Sequence, residues 1–109
     1  MEKEELLIKK NVMLLKSLAD ETRLKILKLV EEGEKCQYEI VPFIGKSQST
    51  VSQHLQTLVV SGILECRKEG QRMFYRLKDE RVRKLLELTN SITRDQLMEL
   101  SKLAKAIES

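Results

Sequence analysis

The stretch Ser47-Gln48-Ser49-Thr50-Val51-Ser52-Gln53-His54-Leu55-Gln56-Thr57-Leu58-Val59-Val60 separates into two faces when wound as a helix at about 100° per residue. Val51, Leu55 and Leu58 fall together on one side, and Ser49, Ser52, Gln53 and Gln56 on the other. Ser47 is a suitable N-cap, since its hydroxyl can take up a backbone N–H of the first turn, and Gly62 stands just past the end. The outer face is short, polar and rich in amides. Glutamine pairs with N6 and N7 of adenine, serine donates or accepts, and short side chains let the backbone approach a groove. Ser47 and Thr50 lie at the helix N-terminus, where free amides and the helix dipole favour a phosphate. A polar face is in general only a solvated face, but an ordinary one carries some glutamate. No Asp or Glu occurs between Ile40 and Leu64, and that absence points to a polyanion. His54 lies about 60° from Val51, at the edge of the buried side, and reads as structural.

Upstream, Gln37 to Ile44 forms a short helix that groups Ile40, Phe43 and Ile44, with Pro42 placed late enough to distort it. Gly45 and Lys46 then make a tight turn. A short helix, a glycine turn and a capped second helix form a helix-turn-helix over residues 37–60, whose second helix suits a major groove. Downstream, Ile63 to Arg67 and Arg72 to Leu77 are strand-like runs around Lys68-Glu69-Gly70-Gln71, a two-stranded wing over residues 63–77. Arg67, Lys68, Gln71 and Arg72 flank its turn, where a wing meets phosphates or a neighbouring minor groove. From Arg67 to Lys84 basic residues (Arg67, Lys68, Arg72, Arg76, Lys78, Arg81, Arg83, Lys84) outnumber acidic ones (Glu69, Asp79, Glu80). The net charge of +3 is therefore less informative than its placement.

Further out, Leu7, Val12, Leu14, Leu15 and Leu18 give residues 2–17 an apolar face, and Asp20 is placed to cap a helix carrying Leu24, Ile26, Leu27, Leu29 and Val30. From Asp79, Val82, Leu85, Leu86, Ile92, Leu100, Leu103 and Ile107 recur at helical spacing over residues 79–107, with an expected break near Thr89 to Thr93. The expected fold is mainly α with a two-stranded β wing, a single winged helix-turn-helix domain over residues 1–109. The longest apolar runs, Val12 to Leu15 and Leu58 to Val60, fall far short of the roughly 18 residues of a membrane span. The charged opening residues hold no signal-peptide core, so the expected location is the cytoplasm, without membrane association. Two cysteines, Cys36 and Cys66, are too few for a disulfide framework.

Four segments in order resemble the ArsR/SmtB family of metal-responsive and related repressors. They are Leu18-Ala19-Asp20-Glu21-Thr22-Arg23-Leu24, Ser47 to Leu55, Gly62-Ile63-Leu64, and Arg67-Lys68-Glu69-Gly70-Gln71-Arg72-Met73-Phe74-Tyr75. The resemblance covers residues 5–90. It implies a homodimer built on the first and last helices, contacts to double-stranded DNA from Gln48, Ser49, Ser52 and Gln53, and a wing on the DNA backbone.

The family's metal sites are not reproduced. Positions matching the last-helix site hold Asp79, Arg81, Ile92 and Asp95, and arginine and isoleucine do not ligate zinc. The Cys-x-Cys pair that opens the third helix in arsenic and cadmium sensors is Cys36-Gln37-Tyr38 here. No metal and no cofactor are expected. Cys66 alternates with Leu64 and Lys68 and reads as buried, whereas Cys36 at a helix start reads as a more exposed thiol. Cys36, alone or with Cys66, is the candidate thiol sensor; the effector, redox or small-molecule, stays open. No phosphate loop, nucleophile elbow or second histidine supports an enzyme. The rival function is a winged-helix protein-interaction module, which would show apolar or aromatic anchors on the fourth helix where this chain shows Ser and Gln.

Overall fold

The computed structural model describes residues 2–108. In chain order its elements are α1 (Glu2–Leu18), α2 (Glu21–Val30), β1 (Lys35–Cys36), α3 (Gln37–Ile44), α4 (Gln48–Val60), β2 (Leu64–Glu69), β3 (Arg72–Leu77) and α5 (Glu80–Glu108). They fall into two units, one ending at Asp79 and the other beginning at Glu80.

In the first unit the apolar residues that recur at helical spacing on α2, α3 and α4 meet in one core. Ile26, Leu27, Ile40, Val51, Leu55, Leu58, Ile63 and Leu64 are fully buried. Burying each such side chain is worth about 1.5–3 kcal/mol, so these residues hold the three helices together. Gly45 closes α3 with φ 71°, a left-handed value that glycine adopts without strain. Pro42 lies inside α3 without ending it before Ile44. The wing turns through Gly70, φ 62°, and Gln71, the short hairpin loop that favours glycine at its first position.

Asp20 caps α2 as its position suggested. Its Oδ2 accepts the Arg23 backbone N–H at 3.0 Å. That bond, helped by the charges of Arg23 and His54 and opposed by partial burial, holds the Asp20 carboxyl below the ordinary 3.8. A depressed value means that the carboxylate's stabilisation is present above pH 3.8 and is lost as pH falls through the folded-state value. Asp20→Ala is expected to cost about 1 kcal/mol at neutral pH. The gap should narrow in denaturation curves taken below pH 3.8, where the wild-type carboxyl protonates too. A gap independent of pH would remove the charge from the cap.

Two sequence expectations change. The sheet has three strands in the order β1-β3-β2, both pairings antiparallel, with Lys35 opposite Tyr75, Cys36 opposite Phe74 and Cys66 also opposite Tyr75. A strand of two residues is too short to show alternation, which is why only two strands were legible. In the second unit α5 is continuous across Thr89 to Thr93. Thr89 Oγ1 donates to the Leu85 carbonyl at 2.8 Å, so its hydroxyl is satisfied within the helix instead of breaking it.

Candidate nucleic-acid interface

The cap of α4 is a paired one. Ser47 Oγ accepts the Thr50 N–H at 3.1 Å and donates to Thr50 Oγ1 at 2.9 Å. The first turn is thereby fixed, and the Thr50 hydroxyl, accepting from Ser47, keeps its own proton available to donate. Val51, Leu55 and Leu58 anchor one side of α4 in the core. On the other, Gln48, Ser49, Ser52, Gln53 and Gln56 border one open concavity. The predicted reading face is thus brought together on a helix seated by its opposite face.

The contacts that position this face were not foreseen. Gln37 Nε2, from the first turn of α3, donates to Ser52 Oγ at 2.5 Å. Arg23 Nε donates to the Ser17 carbonyl at 2.6 Å and its NH2 to the Lys16 carbonyl at 3.2 Å, satisfying the last turn of α1. The NH1 of Arg23 lies 3.1 Å from His54 Nδ1, and Asp20 Oδ2 lies 3.9 Å from the same nitrogen. A guanidinium only donates, so Nδ1 is the acceptor of this contact whenever the ring is neutral. The His54 side chain, 21% exposed, links α4 to α2 and, through Arg23, to α1. The signal was present in the sequence as Asp20, Arg23 and His54, but no local rule pairs residues this far apart.

In the wing, Arg67 has partners within the chain. Its guanidinium bonds both Glu34 oxygens (2.8–3.2 Å), pairs with Glu69 at 2.7 Å, and lies 4.4 Å above the Phe74 ring. The hydrogen bond from Arg67 holds the Glu34 carboxyl below its ordinary value. Arg67 therefore also ties the wing to the segment before β1, a pairing the sequence did not announce. Lys68, Gln71 and Arg72 are exposed around the hairpin turn, and among the described residues no side-chain partner holds them.

The cysteines also differ from expectation. Cys36 is 3% exposed, because β1 pairs with β3 and draws it into the packed region. Its backbone N–H donates to Glu39 Oε1 at 3.0 Å. Cys66 is only half-buried. Burial first, and then the neighbouring Cys66 and Cys36, push the Tyr75 phenol up to about 12. Because β3 lies between β1 and β2, the two cysteines are separated by two strand spacings, roughly 10 Å. A disulfide needs Cα atoms within about 7 Å, so a direct bond would require backbone movement.

The sequence pattern of the bacterial regulatory protein, arsR family, matches residues 20–65, which include Asp20, Arg23, α3 and α4. An HTH-type transcriptional regulator of Methanocaldococcus jannaschii is 41% identical over 78 residues, 71% of this chain and 88% of that protein. The chain belongs to the ArsR family. This ArsR-family chain is also 42% identical over 73 residues to a CadC homologue of Staphylococcus aureus, a cadmium resistance transcriptional regulatory protein, covering 66% of this chain and 60% of that protein. Among solved structures, the homodimeric winged helix-turn-helix DNA-binding domain of a Mycobacterium bovis protein superposes with a TM-score of 0.82 at 32% identity, covering 89% of this chain and 90% of that one. The ArsR-family chain is a winged helix-turn-helix transcriptional regulator, not an enzyme. Among its described residues no group of three or more His, Cys, Asp or Glu is placed to hold a metal ion. No helix among them is long and apolar enough to cross a membrane.

Proposed function

We propose that this ArsR-family regulator acts as a homodimeric repressor in the cytoplasm, placing two copies of α4 in successive major grooves of an inverted repeat and occluding a promoter. The observation that carries this reading is the outer face of α4. Gln48, Ser49, Ser52, Gln53 and Gln56 border one concavity without a single carboxylate, beside a wing turn bearing Lys68, Gln71 and Arg72. Ser49, Ser52, Gln53 and Gln56 read base edges, while Ser47 and Thr50 and the wing meet phosphates. The dimer is supported by the homodimeric Mycobacterium bovis domain and by apolar side chains left exposed on two helices. Leu7, Ile8, Val12 and Leu15 on α1 and Ile92, Leu100, Leu103 and Ile107 on α5 are all more than 40% exposed. Exposed apolar surface on this scale marks a contact.

Fluorescence anisotropy on the chain's own upstream DNA and on a scrambled duplex, across a salt series, tests the proposal. Tight, salt-dependent and sequence-selective binding is expected; equal weak binding to both duplexes would favour the protein-interaction module instead. Arg72→Ala should weaken binding to both duplexes alike and reduce the salt slope by about one, the mark of a lost phosphate contact. An unchanged slope would take Arg72 out of the interface. Repeating the titration with a thiol oxidant tests Cys36 and Cys66 as sensors; unaltered binding would set both aside.

A further inference from the structure

Ser52 stands at the meeting of two hollows, the open concavity on the outer side of α4 and a cleft of about 380 Å³ between α3, α4 and β3, where Gln37, Tyr38 and Gln71 also line the wall. Its hydroxyl differs from three others on the helices of this chain. Ser17, Thr57 and Thr89 each donate to a carbonyl three or four residues back, which occupies the hydroxyl proton. Ser52 makes no such bond among the described residues; its oxygen instead accepts Gln37 Nε2 at 2.5 Å. A hydroxyl has one proton, and accepting a hydrogen bond makes that proton a better donor. The proton of Ser52 is thereby left for whatever lies in the concavity.

Resting on the reading of α4 as the base-contacting helix, we infer that Gln37 is a positioning residue that sets Ser52 as a hydrogen-bond donor, and so selects a base-edge acceptor at the position Ser52 meets. In the major groove the acceptors are N7 and O6 of guanine, N7 of adenine and O4 of thymine, whereas cytosine presents only its N4 donor. Cytosine is therefore the base rejected there. Gln37 touches no DNA in this scheme; its effect passes through the Ser52 hydroxyl.

The test is a set of operator duplexes in which every position of the bound half-site is permuted through the four bases, titrated with the full chain and its variants. Wild type should reject cytosine at one position by about 3- to 10-fold, the range of one neutral hydrogen bond. Ser52→Ala should lose that rejection, Gln37→Met should lose it with Ser52 still present, and the double variant should be no worse than either, because the two act as one unit. Gln37→Glu supplies a carboxylate that accepts from Ser52 and turns the hydroxyl round, so preference at that position should shift toward cytosine, whatever the added charge does to affinity overall. A role in folding alone would not move the ranking of bases at one position. Rejection of cytosine that survives Gln37→Met, or that adds independently to Ser52→Ala, would overturn the inference while leaving the DNA-reading function intact. Wild-type binding with no base preference anywhere would overturn both.

Discussion

Leu55→Ala will lower the unfolding free energy by about 2–5 kcal/mol, the range for emptying a fully packed aliphatic site. Leu55 is 0% exposed and sits between Val51 and Leu58 on the inner side of α4, so truncation leaves a cavity in the core shared by α2, α3 and α4. Each kcal/mol shifts the melting temperature of a small domain by about 4–8 °C, so the loss will be plain in thermal and denaturant curves. Once folding is corrected for, the variant should still prefer its operator over scrambled DNA, because the outer side of α4 is untouched. A loss below about 1 kcal/mol would mean that this helix is not anchored through Leu55.

Gln53→Ala should do the opposite. Its side chain is exposed, so stability should move by no more than about 0.5 kcal/mol. Operator affinity should fall by about 1–3 kcal/mol if the amide pairs with an adenine edge, while affinity for scrambled DNA stays put. Equal losses on both duplexes would reassign Gln53 to the DNA backbone. Together the two variants separate what holds α4 from what α4 reads, two properties carried by opposite faces of thirteen residues.

Those faces were legible in the sequence because each follows a local rule: helical spacing fixed the buried row, the Ser47 hydroxyl fixed the start, and glycines fixed both turns. Asp20 was legible as a cap for the same reason. What escaped is what joins distant segments. Glu34 and Arg67 lie 33 residues apart, Arg23 and His54 31, and Gln37 and Ser52 15. Charge pattern alone did not show the partner of Arg67, since nothing near it in sequence announces Glu34. Cys36 read as exposed because the two-residue β1 that buries it has no periodicity to detect. The break expected near Thr89 to Thr93 is absent from α5, where the Thr89 hydroxyl finds its partner in the preceding turn.

The single guanidinium of Arg23 joins the last carbonyls of α1 to His54 on α4. Within the first unit this ties the reading helix to the end of α1, so that the two are held together by more than their apolar contacts. One base pair inserted between half-sites moves them apart by about 3.4 Å and turns one against the other by about 34°. If α1 carries the proposed dimer contact, an insertion of this kind is expected to weaken binding even though every base of each half-site is unchanged.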